Sequence, residues 1–226
     1  MPPSAKAPPP SPRPSAAHRP GVQRGGYAKG RARRAAIIHT AAEYFAQHGF
    51  APVTIVDLAV ACGISRAGLL RYFPDKESLL QAVLEDRDRL DRDRFQPYTQ
   101  IPGGLGILRG MVDLAGHNEL SPGLIALFVR LSAEASDPDH PAHPYFAGRY
   151  DRIRRGTAHA LRKARDAGHV RHDVDPDDAA VRLTAQMDGL QAQWLFHRDI
   201  DMAHHVRRAI LDLLTEQGRA AFDATH

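Results

Sequence analysis

The sequence predicts an all-α protein of about nine helices, and three observations lead there. From about residue 30 onward, apolar residues recur at i, i+3, i+4 and i+7. Capping residues, prolines and glycines punctuate that rhythm at helix-length intervals. No segment shows the period-two alternation of a strand, and no internal repeat is visible.

The elements follow in order. Residues 1–28 are expected to be a disordered, basic, Pro-rich arm, because eight of the first 20 residues are proline and little else there can offset the entropy of ordering. Ile38, Ala41, Ala42 and Phe45 mark a first helix that Gly49 stops. Thr54-x-x-Asp57 resembles a capping box, and Ile55, Leu58, Ala59 and Cys62 continue it as a short helix ending at Gly63. Ser65 can cap a third helix with Leu69 and Phe73 facing inward, ended by Pro74. Asp75 can cap a fourth, which carries Leu79, Leu80, Val83, Leu84 and Leu90. Its far end, residues 85–94, is dense in both charge signs and is expected to be solvated.

Two prolines and three glycines in residues 96–106 place a boundary there. Five more helical patterns follow. Leu105, Leu108, Val112 and Ala115 mark one, and Ser121-Pro122 opens the next with Leu124, Leu127, Phe128, Leu131 and Ala135. After a Pro/His loop, Phe146, Tyr150, Ile153, Thr157, Leu161 and Ala164 form a long helix stopped at Gly168. Asp175-Pro176 opens a helix bearing Leu183, Met187, Leu190 and Trp194, and the last helix carries Met202, Val206, Ile210 and Leu213.

Composition excludes several classes. The 226 residues are 43% hydrophobic and 25% charged, ordinary for a globular chain, and no apolar run approaches the ~20 residues of a membrane helix. Cys62 is the only cysteine, so an intrachain disulfide is impossible and a Cys-rich zinc site is excluded. A Pro-rich rather than apolar N-terminus argues against a signal peptide, and a cytoplasmic location is expected. The net charge of +4 is uneven: residues 1–76 carry 11 basic and 3 acidic side chains, residues 77–226 carry 19 and 23. A basic front on an acidic body suggests that one end meets a polyanion; a solvated basic tail is the alternative.

Residues 54–73 read as a unit. A short capped helix, a glycine turn and a second short helix make a helix-turn-helix, whose second helix can enter a DNA major groove. The run from Arg31 to Leu84 resembles the DNA-binding domain of the TetR family of transcriptional regulators. It contains A-x-x-x-F-x-x-x-G at residues 41–49, T-x-x-x-L-A-x-x-x-G-I-S at 54–65 and Y-F-P-D-K-E-x-L-L at 72–80.

The resemblance implies a homodimer that binds a double-stranded DNA operator. It divides the chain into a helix-turn-helix domain at 29–76 and a ligand-binding and dimerisation domain at 77–226 that answers to a small-molecule effector. By family position the recognition helix presents Ser65, Arg66, Ala67, Gly68, Leu70, Arg71 and Tyr72. Arg66 suits bidentate reading of guanine, with a phosphate contact as the alternative. Ala67 and Gly68 leave room for close approach. Thr54, Tyr72 and Lys76 are placed for the backbone, and Arg31, Arg33 and Arg34 for phosphates or the adjacent minor groove. Leu70 stands where the family usually has a tyrosine; it cannot donate a hydrogen bond, and either meets a thymine methyl or packs.

Candidates for an effector pocket are Phe128, Leu131, Glu134, Phe146, Tyr150, Met187, Gln191 and Trp194, with ordinary core packing as the alternative for each. Gly189, Val206, Ile210, Leu213 and Leu214 are candidates for a dimer face, the alternative being packing within the subunit. His140-x-x-His143, near Asp137 and Asp139, has loose metal-ligand spacing, but capping and loop packing fit it better, so no metal and no cofactor are expected. No nucleophile elbow, P-loop, dinucleotide fingerprint or metalloprotease motif occurs, so no catalytic residue is assigned and no enzyme is expected. A helical protein-interaction module, with the basic front incidental, is the remaining alternative.

Overall fold

The computed structural model describes residues 23–224. Residues 1–22, most of the expected arm, lie outside the described residues. The disorder expected through residue 28 is corrected at its end, because helix α1 spans Gln23–His48. The last preceding proline is Pro20; past it, each residue added to a nucleated helix gains a backbone bond at little cost.

The helix-turn-helix consists of α2 (Ile55–Ala61) and α3 (Arg66–Leu70). Thr54 and Asp57 form the capping box reciprocally: the Asp57 amide donates to Thr54 Oγ1 at 3.2 Å, and the Thr54 amide donates to Asp57 Oδ2 at 2.9 Å. The Thr54 hydroxyl, which donates to Asp57 Oδ2 at 2.6 Å, and then the Thr54 amide hold the Asp57 carboxyl below its ordinary range. Gly63 takes the left-handed conformation, φ 62°, that the turn requires. There the Ile64 amide reaches back to Ala59 O and the Gly63 amide to Val60 O, both at 3.0 Å, satisfying the last carbonyls of α2. The Ser65 hydroxyl then accepts from the Gly68 amide at 3.0 Å and starts α3.

Helix α4 (Lys76–Phe95) is capped by Asp75, which accepts from the Ser78 amide at 2.7 Å. Two 3-10 turns, Pro97–Gln100 and Pro102–Gly104, lead to α5 (Leu105–Glu119), α6 (Pro122–Glu134) and α7 (His143–Asp166). Ser121 makes no side-chain capping bond, so proline at the first helical position starts α6 without it. Asp175 caps α8 (Pro176–Phe196) by accepting from the amides of Asp177 and Asp178.

Ten α-helices rather than about nine occupy the described residues, because the expected last helix is two. Helix α9 (Met202–Leu211) ends where Leu214 forms a single antiparallel bridge with Val170, and α10 (Glu216–Asp223) restarts under a Thr215 cap. Two backbone bonds, Arg171 N to Leu213 O and Thr215 N to His169 O, pull the intervening chain out of helical conformation.

Two apolar cores form. One lies among α5, α7, α8, α9 and α10, with Leu108, Leu161, Ile210 and Phe222 fully covered. The other serves the helix-turn-helix but is not closed by its own helices. Leu127, Leu131 and Ala135 from α6 and its end, with Ala142 just before α7 and Phe146 within it, join Phe45, Leu58, Leu69 and Leu79 in one cluster. The head therefore shares its core with the body. Leu131 is fully buried in that shared cluster. Leu131→Ala is expected to cost about 2–5 kcal/mol in urea unfolding, with head and body losing structure together; a loss under about 0.5 kcal/mol, the usual range for a surface change, would place Leu131 outside the core.

Candidate functional site

The head offers a polar, partly basic surface. Arg31, Arg33 and Arg34 near the exposed side of α1 are solvent-facing, as are Thr54, Ser65, Arg66, Ala67, Arg71 and Tyr72. Gly68, Leu70 and Lys76 are half-buried. Several of these side chains are already occupied. The Ser65 and Thr54 hydroxyls serve as caps. Lys76 Nζ donates to Phe50 O at 3.0 Å and lies 4.0 Å from the centre of the Phe50 ring, so it braces the turn between α1 and α2. The Arg34 guanidinium stacks 4.9 Å over Phe73. The first turn of α3 thus presents Arg66 with the small residues Ala67 and Gly68. Sequence reasoning passed over Val56 and Val60, apolar residues four apart on α2 that are 50% and 75% exposed.

A junction ties this head to the body. Glu134 at the end of α6 accepts from the Phe50 amide at 3.1 Å, and Arg130 Nη1 donates to Gln47 O at 2.7 Å. Gly49 holds φ 80°, a conformation that strains any other residue, and a β-carbon there would stand 2.8 Å from Glu134 Oε1, so the carboxylate would also have to shift. His140 lies edge-on to Phe50 and accepts from the Ala142 amide through Nδ1, while the His143 ring bonds Ala135 O at 2.9 Å. Both histidines are thus engaged with the α6–α7 loop and its neighbours, and among the described residues no group of three or more His, Cys, Asp or Glu side chains is arranged to hold a metal ion.

The body contains a cavity of about 520 Å³ walled by α4, α5, α6, α7 and α8. Of the pocket residues expected from sequence, Phe128, Phe146, Tyr150, Met187 and Gln191 stand in its wall. Three do not. Leu131 is buried in the head core, Glu134 turns to the Phe50 amide, and Trp194 packs in the body core with Arg198 stacked 3.9 Å from its ring.

Charge in this wall is where sequence reasoning failed most. The far half of α4, expected to be solvated, turns Arg87, Asp88 and Asp91 inward, and Arg87 is only 8% exposed. Arg149 of α7 donates to Asp88 at 2.7 Å and to Asp91 at 3.3 Å. Arg87 Nε stands 3.1 Å from Asp91, and Arg87 Nη2 donates to Asn118 at 2.9 Å. Arg152 and the Tyr145 hydroxyl also donate to Asp88. Burial pushes the Arg87 guanidinium down from its ordinary value, with the Asp91 charge opposing. Opposite charges facing one another make this burial tolerable, and removing one member of such a pair typically costs about 3–5 kcal/mol. The alternation of signs along α4 was visible; its turning toward α7 was not.

On the opposite wall, Tyr150 of α7 and Asp188 of α8 both line the cavity. Burial, then the Asp188 charge, push the Tyr150 phenol up to about 12. Burial on its cavity side raises the Asp188 carboxyl, with Tyr150 and the Arg149 charge opposing, and the residue as a whole is exposed.

The expected dimer face is also revised. Val206, Ile210 and Leu214 are covered within the subunit, where α9 packs on α5 and α8, and Leu213 is partly buried against the same core. The amphipathic pattern of α9 is therefore used internally. Gly189 faces open space on α8.

A capped helix-turn-helix fused through a shared core to an all-helical, cavity-bearing body defines a helix-turn-helix DNA-binding protein. Comparison with known proteins gives the family. The model described as "Bacterial regulatory proteins, tetR family" matches residues 37–83, and that described as "BetI-type transcriptional repressor, C-terminal" matches residues 114–218. The HTH-type transcriptional repressor Rv1474c of Mycobacterium tuberculosis is 27% identical over 83% of this chain and 94% of its own length. The HTH-type transcriptional regulator TtgR of Pseudomonas putida is 28% identical over 80% and 90%. A putative transcriptional regulator from Saccharomonospora viridis, solved in complex with choline, superposes with a TM-score of 0.68 at 26% identity, covering 83% of this chain and all of that one. The chain belongs to the TetR family of transcriptional regulators, a family of regulators rather than enzymes.

Arg66 is the residue whose substitution separates readout from mere attachment. Arg66→Ala is expected to cost about 1–3 kcal/mol on operator DNA and to relax the preference for it over unrelated DNA. An equal loss on both, measured by competition binding, would instead mark a phosphate contact.

Proposed function

We propose that this chain is a ligand-responsive repressor in the cytoplasm that binds a palindromic operator as a homodimer and releases it when a small molecule fills the cavity. The observation that carries this reading is the double duty of α4. Its first half places Leu79, Leu80, Val83 and Leu84 in the head core, and its second half places Arg87, Asp88 and Asp91 in the cavity wall. A ligand that favours one setting of that wall therefore acts on the helix that follows α3 directly. It must bind the two states with different affinity for any shift to occur.

For the second subunit we assign the outward face of α8. Val181 is 49% and Phe196 84% exposed, and Ala185 and Gly189 lie between them at helical spacing. Small residues allow close helix approach, and withdrawing Phe196 from water contributes about 1.5–3 kcal/mol per subunit. A two-fold pair of heads would then set the recognition helices about 34–36 Å apart, one turn of DNA. Domain limits at 29–76 and 77–226 fit this division of labour, with the qualification that the head core reaches into α6 and α7. Relatives named as repressors support the direction of control.

A gel shift on the promoter beside the chain's own gene should show salt-sensitive, sequence-selective binding by a species that sediments as a dimer. Phe196→Asp should yield monomers that bind the same DNA at least tenfold more weakly. A wild-type monomer at micromolar concentration, or binding without sequence preference, would overturn the reading.

A further inference from the structure

The seam between head and body holds a buried donor without a bond. His140, in the loop between α6 and α7, has a side chain only 12% exposed. Its Nδ1 accepts from the Ala142 amide at 3.1 Å, so the proton of the neutral ring sits on Nε2. That Nε2–H makes no hydrogen bond and stands 3.7 Å from Glu134 Oε2. A buried donor left unpaired is costly, and a carboxylate is the strongest acceptor it could reach. The same Oε2 already accepts from the Phe50 amide at 3.1 Å. Phe50 is gripped on its other sides as well. Its ring has His140 edge-on at 5.1 Å and Lys76 Nζ at 4.0 Å, and its carbonyl accepts from Lys76 at 3.0 Å. Lys76 begins α4, which follows the recognition helix, so a displacement of Phe50 reaches the start of α4.

A proton added to this ring acts in one direction. Histidine is the side chain that ordinarily changes charge between about pH 5 and 8. The added proton must go to Nδ1, where it removes the acceptor of the Ala142 amide and frees the ring from its tether. The positive ring is then drawn to Glu134. To close the gap, either the carboxylate leaves the Phe50 amide or the ring leaves the edge of Phe50. Of the other charged and titratable groups at this seam, Arg130 of α6 and Lys76 of α4 oppose the added charge, and Asp137 and Asp139 of the loop favour it. His48, at the end of α1, is exposed and lies against Tyr44. His143 donates to Ala135 O, a bond that protonation leaves intact. We infer that His140 and Glu134 form a pH-sensitive latch on the DNA-binding head, closed on Phe50 while His140 is neutral and released when it is protonated. Both sit on the body side of the seam and are positioning residues for DNA binding.

Amide exchange of the full chain, followed by NMR at pH 8 and pH 5.5, reads the latch with neither operator nor effector. Protection factors remove the intrinsic pH dependence of exchange. At pH 5.5 the wild-type Phe50 and Ala142 amides are expected to lose protection at least fivefold, while that of Leu190 in α8 stays within about twofold. His140→Phe keeps an edge against Phe50 but takes no proton. Glu134→Gln keeps an acceptor for the Phe50 amide without the charge. Each should hold Phe50 protection within about twofold across the same range; circular dichroism checks that both variants fold. On the promoter fragment beside the chain's own gene, the affinity of wild type relative to His140→Phe should fall at least threefold from pH 8 to pH 5.5, a ratio that cancels the histidines common to both chains. Constant Phe50 protection in the wild type, a loss that persists in either variant, or a constant affinity ratio would overturn the inference. PH-dependent Phe50 protection with no selective binding of that fragment by either chain would overturn the proposed function and uphold the latch.

Discussion

Everything in this molecule depends on an apolar cluster that two functional units share. The first three helices do not bury their own inward side chains: α1 is long, but α2 has 7 residues and α3 has 5. Helices of that length are not stable by themselves, and packing must supply what local hydrogen bonding cannot. Leu127 and Leu131 from α6 and Phe146 from α7 complete the cover over Phe45, Leu58 and Leu69. A DNA-binding head built this way cannot be indifferent to the position of the body. Glu134 and Arg130 add hydrogen bonds to the turn after α1, at the same seam.

Two features link that seam to the cavity. Phe146 belongs both to the head cluster and to the cavity wall, so one side chain reports to both. Helix α4 is pinned at its first half by apolar contacts and at its second by ion pairs to α7. Close-packed interiors respond to a disturbance by moving whole elements rather than by gradual deformation. Under the function proposed above, a ligand that disturbs the pairs among Asp88, Asp91 and Arg149 would have α4 as the element to move, and the shared core would carry the movement to α3.

Local chemistry was well written in the sequence. Thr54 with Asp57, Ser65, Asp75 and Asp175 mark helix starts through side chains that bond amides two or three residues on, an interaction confined to neighbours in sequence. Gly49 and Gly63 mark ends because both adopt positive φ. What sequence could not convey was the partner of each face. The charged half of α4 has the same sign pattern whether it faces water or an oppositely charged α7, and here part of it faces α7. The stripe Val206, Ile210 and Leu214 has the same periodicity for a dimer contact or an internal one, and it is spent on the subunit's own core. Trp194 and Leu131 sit at core spacing, and periodicity does not distinguish a core wall from a cavity wall. Nothing local in the sequence announces that Asp188 lines a cavity.

Native-state hydrogen exchange tests the shared core most directly, because it reads the opening free energy of each segment without requiring a ligand. Core amides of α1 and of α6 are expected to exchange with the same free energy and to lose protection together as urea is raised. If the amides of α1 and α4 opened as a separate unit, at a free energy well below that of α6, the head would be an independent domain and the coupling described here would be contradicted.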